Sequence, residues 1–173
     1  MTNYNVIDNF LEQKEFENLQ TLLSYRFPWY FYDGINDVEK DPSKVDTYQF
    51  THMFYENYAP KSDFLPLIYP LVNNLKTVAL LRVKANLLTR TTTKVCHEYH
   101  TDFHSPLITT AVYYVNTNDG VTRLKIGDEV VEVESVANRL VTFNSRIQHA
   151  GTTCTDQKVR CVVNLNYITD VQN

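Results

Sequence analysis

The feature that most constrains this chain is a change of hydrophobic period near Leu80. Before it, Phe16, Leu19, Leu22 and Leu23 recur at steps of three and four, which predicts one face of an amphipathic helix over residues 12–25, with Asp8 or Asn9 as its cap. A second helical pattern opens near Phe64 and runs through Leu67, Ile68, Leu71, Val72 and Leu75, with Pro66 tolerated in the first turn. After it, the segments 82–88, 108–116, 123–126, 129–133, 139–143 and 159–168 are rich in β-branched and aromatic residues, and several alternate by twos. These predict strands, with Asn118-Asp119-Gly120 and Gly127-Asp128 as hairpin turns between them. Helices followed by many short strands predict a mainly β, α+β chain: a barrel or double-sheet roll with helical support.

At 173 residues the chain suits one domain, 1–173, with 1–80 as helical and aromatic support and 81–173 as the β core. It has no internal repeat, and four glycines and six prolines leave no Gly-rich linker. Phe27-Pro28-Trp29-Tyr30-Phe31-Tyr32 is too aromatic for a free loop and is expected to cover the core or form a cleft wall. Asp41-Pro42-Ser43-Lys44 is a polar connection, expected to be the most mobile stretch.

A net charge of −4, a pI near 5.7 and the lack of a Lys/Arg cluster argue against a nucleic-acid partner. No leader pattern opens the chain and no apolar run approaches the ~20 residues that cross a bilayer, so the expectation is a cytoplasmic protein without a membrane partner. Cys96, Cys154 and Cys161 are odd in number and include no CxxC pair, which predicts buried free thiols. Oligomeric state is not legible.

The densest set of metal-ligand side chains is His97-Glu98-Tyr99-His100-Thr101-Asp102-Phe103-His104. The zinc-protease pattern needs two histidines four apart on a helix, which this spacing and strand-like context do not supply. In an extended strand, residues two apart share a face, so His100 and Asp102 project together. His149 is the best third candidate, because it follows the strand-like Leu140-Val141-Thr142-Phe143 and precedes Ala150-Gly151, where a small residue lets a ligand approach. Two imidazoles and one carboxylate make a facial set that leaves positions open on iron(II). His52 is expected to have an ordinary structural or surface role, and His97 and His104 to support the ligands from behind or to line the cleft rather than to bind the metal. Arg160, on the last apolar strand, could hold a carboxylate through a bidentate, charge-assisted pair.

Together, His100-Thr101-Asp102, His149 and Arg160 resemble the HxD…H…R signature of the 2-oxoglutarate/iron(II) dioxygenase superfamily. Residues 10–19 look like the helical opening of its prolyl-4-hydroxylase-like branch, and Ala111-Val112-Tyr113-Tyr114-Val115-Asn116 looks like that branch's Tyr-Tyr-apolar-Asn strand. Compact versions are familiar from bacteriophage and bacteria. The resemblance implies a double-stranded β-helix, iron(II) on His100, Asp102 and His149, 2-oxoglutarate held by Arg160 and Tyr114, oxygen as co-reactant and ascorbate as a reductant. Strand alternation allows only one of Tyr113 and Tyr114 to line the cavity, and Tyr114 is chosen. Many relatives carry a tyrosine on the strand before the HxD; here Asn86-Leu87-Leu88 stands there, with Asn86 as a substitute contact to the cosubstrate. The implied activity is hydroxylation of a C–H bond in a peptidyl proline, another protein side chain or a small metabolite, with release of succinate and carbon dioxide. The retained carboxylate favours hydroxylation over halogenation. The alternatives are a cupin-like metal-binding module without turnover, and an interaction protein using the aromatic segment at 27–32.

Overall fold

The structure, a computed structural model, describes residues 4–35 and 47–169. The polar connection at 41–44 lies outside the described residues. In chain order the elements are β1 (Tyr4–Ile7), α1 (Gln13–Ser24), β2 (Tyr30–Tyr32), β3 (Gln49–Glu56), β4 (Ala59–Pro60), a 3-10 turn (Leu65–Ile68) running into α2 (Tyr69–Asn74), β5 (Thr77–Thr89), β6 (Thr109–Tyr114), β7 (Val121–Ile126), β8 (Glu129–Glu134), β9 (Arg139–Asn144), β10 (His149–Gly151) and β11 (Val159–Thr169). The larger sheet runs β1-β9-β6-β11-β5-β3-β2, with β4 paired to β3, and the smaller runs β10-β7-β8. All these pairings are antiparallel, and the two sheets form the double-stranded β-helix that the strand pattern and the resemblance imply.

Strand alternation explains the layers. On β11, Cys161, Val163, Leu165 and Tyr167 point to the outer face, while Arg160, Val162, Asn164 and Asn166 point between the sheets. The outer set joins one apolar cluster with Phe16, Leu19 and Leu23 of α1 and with Leu65, Ile68 and Leu71. Burying each of those leucines contributes about 2 kcal/mol, so the helices are held by their apolar faces. Val112, Tyr114, Leu124, Val141, Phe143 and Val162 form a second cluster on the inner side.

Three expectations are corrected, and one strand comes to light that none of them covered. The first 80 residues are more than helical support, since β1 through β4 all join the larger sheet and β3 lies directly beside β5. The strand at β3 is hidden in the sequence because its inner face is polar and its outer face carries His52 as well as Phe54. Asn118-Asp119-Gly120 is not a hairpin turn: it lies in the connection that carries the chain from β6 in the larger sheet to β7 in the smaller. There the Asn118 amide accepts from Gly120 N at 3.0 Å, and Asp119 accepts from Thr155 N and Oγ1 at 2.7 and 2.6 Å. By contrast, Gly127-Asp128 does turn the β7–β8 hairpin, with Gly127 at φ +61°. Finally, neither Asp8 nor Asn9 caps α1; Glu12 occupies the cap position without a side-chain bond, and Asp8 is drawn instead to Arg139 at 2.5 Å.

Candidate functional site

His100 and His149 are brought together by backbone pairing. They form an antiparallel bridge in which His100 N donates to His149 O at 3.0 Å and His149 N donates to His100 O at 2.9 Å, so their side chains are direct cross-strand neighbours. The ring centroids are 4.4 Å apart. Residues 96–102 form no regular strand, contrary to expectation; only bridges at Cys96 and His100 tie them to the smaller sheet. Even so, His100, Asp102 and His149 converge, each offering one ligand atom, all within 4.8 Å of one another. Each histidine turns Nδ1 toward a backbone carbonyl, Glu98 O at 3.4 Å and Ile147 O at 3.1 Å. A carbonyl can only accept, so Nδ1 carries the proton and the Nε2 lone pair faces the Asp102 carboxylate 3.9 Å away. That donor set is one that could hold a divalent metal.

Asp102 is fixed from below by groups absent from the sequence expectation. Its Oδ1 accepts from Arg82 at 2.7 Å, and its Oδ2 accepts from Thr110 Oγ1 and Asn166 Nδ2, both at 2.9 Å. Arg82 and Asn166 face one another across the β5–β11 ladder and share a further bond of 2.9 Å. Burial would raise this carboxyl, but His149, Arg82, the Asn166 bond and His100 outweigh it and hold it well below the usual carboxylate range. The alternation of β11 contains the signal that finds Asn166 and Asn164: both are polar residues on the same face as Arg160 in an otherwise apolar strand. Arg82 carries no such signal, because its partner is set by the ladder register.

Arg160 sits farther along the same inner face, 3% exposed. Its Nε donates to Ser135 Oγ and one terminal nitrogen to Thr122 Oγ1, both at 2.9 Å. No carboxylate pairs with it among the described residues, so its charge is buried against neutral hydroxyls. Tyr114 is fully buried beside it, with the guanidinium 5.7 Å from the ring centroid, and its hydroxyl near Thr122 lacks a partner in hydrogen-bond geometry. Tyr113 points the other way and donates to Asn138 at 2.9 Å. Space for Arg160 comes from Gly120, where a Cβ would lie 2.7 Å from its Cδ. Gly151, expected to let a ligand approach, faces the Arg160 guanidinium; a Cβ there would lie 3.4 Å from Nη1.

A cavity of about 440 Å³ joins these groups and is lined by His100, Asp102, His149, Arg160, Asn86 and His97 among others. His97 is 4% exposed with both ring nitrogens unpartnered, and burial, Arg160 and His100 push it down to about 4, which keeps it neutral at pH 7. His104, expected beside the cleft, is instead exposed and does not line this cavity, and His52 is structural: its Nδ1 meets Pro28 O at 2.8 Å and its Nε2 meets Ser62 Oγ at 2.7 Å, beneath the Phe27 ring. The aromatic segment divides, with Phe27 in the core, Tyr30 and Phe31 exposed and Tyr32 on the cavity wall. The cysteines are free; Cys154 and Cys161 are buried as expected, whereas Cys96 is exposed, contrary to expectation. Among the described residues no helix is long and apolar enough to cross a membrane.

No family model matches the sequence, and no curated protein matches it. Solved structures do. A prolyl hydroxylase from Trichoplax adhaerens, solved with a hypoxia inducible factor peptide fragment, superposes with a TM-score of 0.71 at 15% identity, over 97% of this chain and 84% of that one. The alpha ketoglutarate dependent epimerase SnoN from nogalamycin biosynthesis gives 0.66 at 13%, over 96% and 78%. HygX from Streptomyces hygroscopicus, with nickel and 2-oxoglutarate bound, gives 0.62 at 13%, over 98% and 84%. At these identities the likeness establishes the fold, the double-stranded β-helix shared by non-haem 2-oxoglutarate oxygenases.

Proposed function

We propose that this chain is an iron(II)- and 2-oxoglutarate-dependent oxygenase, a cytoplasmic single-domain enzyme that oxidises a C–H bond of a small-molecule or peptide substrate. The observation that carries it is Arg160: a guanidinium buried without a carboxylate partner among the described residues, lining the same cavity as a convergent His-Asp-His set. An uncompensated buried charge is unfavourable, and a bound dicarboxylate would supply the missing anion while its other end reached the metal. The donor set fits a divalent metal, with His100, Asp102 and His149 as its ligands. The Tyr114 hydroxyl, a buried donor lacking a partner beside Arg160, would serve the same carboxylate.

With iron(II) held by His100, Asp102 and His149 and 2-oxoglutarate by Arg160, dioxygen would be the oxidant: one oxygen atom would end in succinate as 2-oxoglutarate loses carbon dioxide, and the other in the substrate's new hydroxyl. The chain's part is to orient. Arg82, Thr110 and Asn166 hold the Asp102 carboxylate in one position, the carbonyls of Glu98 and Ile147 fix both imidazole tautomers, and Arg160 selects an acid of the right length. The retained carboxylate supports hydroxylation. A cupin-like module would bind metal without needing Arg160. The deciding experiment is anaerobic addition of iron(II) and 2-oxoglutarate. The expected result is a visible metal-to-ligand charge-transfer band that Arg160→Gln weakens and that disappears in the His100→Ala, Asp102→Ala, His149→Ala triple variant. A wild-type protein that binds iron but neither develops the band nor forms succinate in air refutes the proposal.

A further inference from the structure

The cavity also holds buried acceptors that 2-oxoglutarate cannot satisfy. Asn86 on β5 and Asn164 on β11 both line it, and the side-chain oxygen of each is buried without a hydrogen-bond partner. In the β5–β11 ladder Asn86 stands opposite Val162 and Asn164 opposite Lys84, so the two amides are diagonal neighbours on one face. Glu56 of β3 adds a carboxylate to the same wall, and no ion pair engages it among the described residues. Two cations of β5 share this face: Arg82 is committed to Asp102 and Asn166, and Lys84, opposite Asn164 in the ladder, also lines the cavity and has interactions of its own.

The cosubstrate is the wrong chemistry for these groups. Two carboxylates and a ketone are acceptors only at neutral pH; they complete donors such as Arg160 and Tyr114, and they oppose acceptors. Buried acceptors are otherwise paired, so two on one cavity face point to a second molecule that brings donors. A proline residue has no N–H and an apolar ring, so in a peptide substrate the reacting residue itself would bring neither amide a donor. We infer that the primary substrate is a small polar molecule bearing a protonated amine and further N–H or O–H donors, held by Asn86, Asn164 and Glu56. This rests on the oxygenase reading of the site, and it moves Asn86 from the cosubstrate to the substrate.

In the structure it is the amide oxygens that lack a partner; aspartate keeps an acceptor at that place and leucine removes it, so substitution separates a ligand that donates there from one that does not. The test is isothermal titration of the full chain loaded with nickel(II) in place of iron. First, 2-oxoglutarate is titrated into wild type, Asn86→Leu and Asn164→Leu. Wild type is expected to bind it and both variants to match within about twofold, since neither amide touches it. No binding by wild type ends the oxygenase reading itself; wild-type binding with about tenfold loss in either variant overturns only the present inference. Next, L-lysine, L-arginine, D-glucosamine and the blocked peptide acetyl-Ala-Pro-Ala-amide are titrated into the 2-oxoglutarate-bound protein. At least one amine should bind more tightly than the peptide, about tenfold weaker in Asn164→Leu and undiminished in Asn164→Asp. The inference falls if no amine binds at millimolar concentration, if the peptide binds at least as tightly as every amine, or if Asn164→Leu changes nothing. The Asp variants keep the test open if a leucine variant does not fold.

Discussion

At one end of the cavity the Asp102 carboxylate accepts from Arg82, Thr110 and Asn166; farther along β11 the Arg160 guanidinium finds only the hydroxyls of Thr122 and Ser135. Both groups are buried and charged, yet one is compensated within the chain and the other is not. The difference teaches what each is for. A carboxylate locked by three donors keeps its direction whether or not a metal is present, which is what a ligand needs. A guanidinium left with hydroxyls is poised for an anion from outside, which is what a binding group needs.

The strongest test of the carboxylate end is removal of the whole donor set. The His100→Ala, Asp102→Ala, His149→Ala protein should lose stoichiometric nickel(II) or iron(II) binding by titration and reduce succinate formation to background. Comparing the two ends without metal is sharper still. Asp102→Ala strands Arg82, Thr110 and Asn166 and should destabilise the metal-free fold by about 3 kcal/mol in urea unfolding, because one partner of a buried pair is removed. Arg160→Met removes a charge that has no partner and should be neutral or stabilising in the same assay. Equal losses at the two ends would break the comparison.

Cosubstrate affinity reverses the ranking. Arg160→Gln should weaken 2-oxoglutarate binding by about a hundredfold and Arg160→Lys by less, since lysine keeps the charge but loses the fork. Affinity that is the same for all three residues would remove Arg160 from its role. A smaller effect is expected one layer out, at Gly120, where a Cβ 2.7 Å from the Arg160 side chain forces it to move. Gly120→Ala should lower stability by about 1–3 kcal/mol and weaken 2-oxoglutarate as well, whereas Gly151→Ala, with its nearest contact at 3.4 Å, should do less of both.

The smallest effect concerns His97. Its value is pushed from 6.5 down to about 4 by burial, Arg160 and His100, so between those pH values the unfolded chain binds more protons than the folded one. Stability of the metal-free protein should therefore fall as pH drops from 6.5 toward 4, and His97→Asn should flatten that limb in thermal unfolding measured across the window. An unchanged acid limb would mean that His97 is not held neutral.

The strands after Leu80 were legible because their alternation survives on the outer face, and α1 because its apolar steps of three and four are clean. What was hidden follows from the cavity itself. A strand whose inner face must be polar, as at β3 with Gln49 and Thr51, loses the contrast that marks a half-buried strand. The irregular path at 96–102 was likewise invisible, since spacing of two reports a shared side and says nothing of the hydrogen bonds that stop after each bridge.

By itself the sequence determined the chemical inventory: which imidazoles, carboxylates and guanidinium stand at which spacing, and that Tyr114 and Tyr113 face opposite ways, because side-chain direction alternates along any strand. Tertiary structure alone decided which of those charges would be compensated. Arg82 meets Asp102 through the register of β5 on β11, and Arg160 is separated from acidic partners among the described residues because β7 and the turn after β8 present hydroxyls to it. Local periodicity carries no information about long-range register, and it is register that sets a charge beside its partner or leaves it waiting for a ligand.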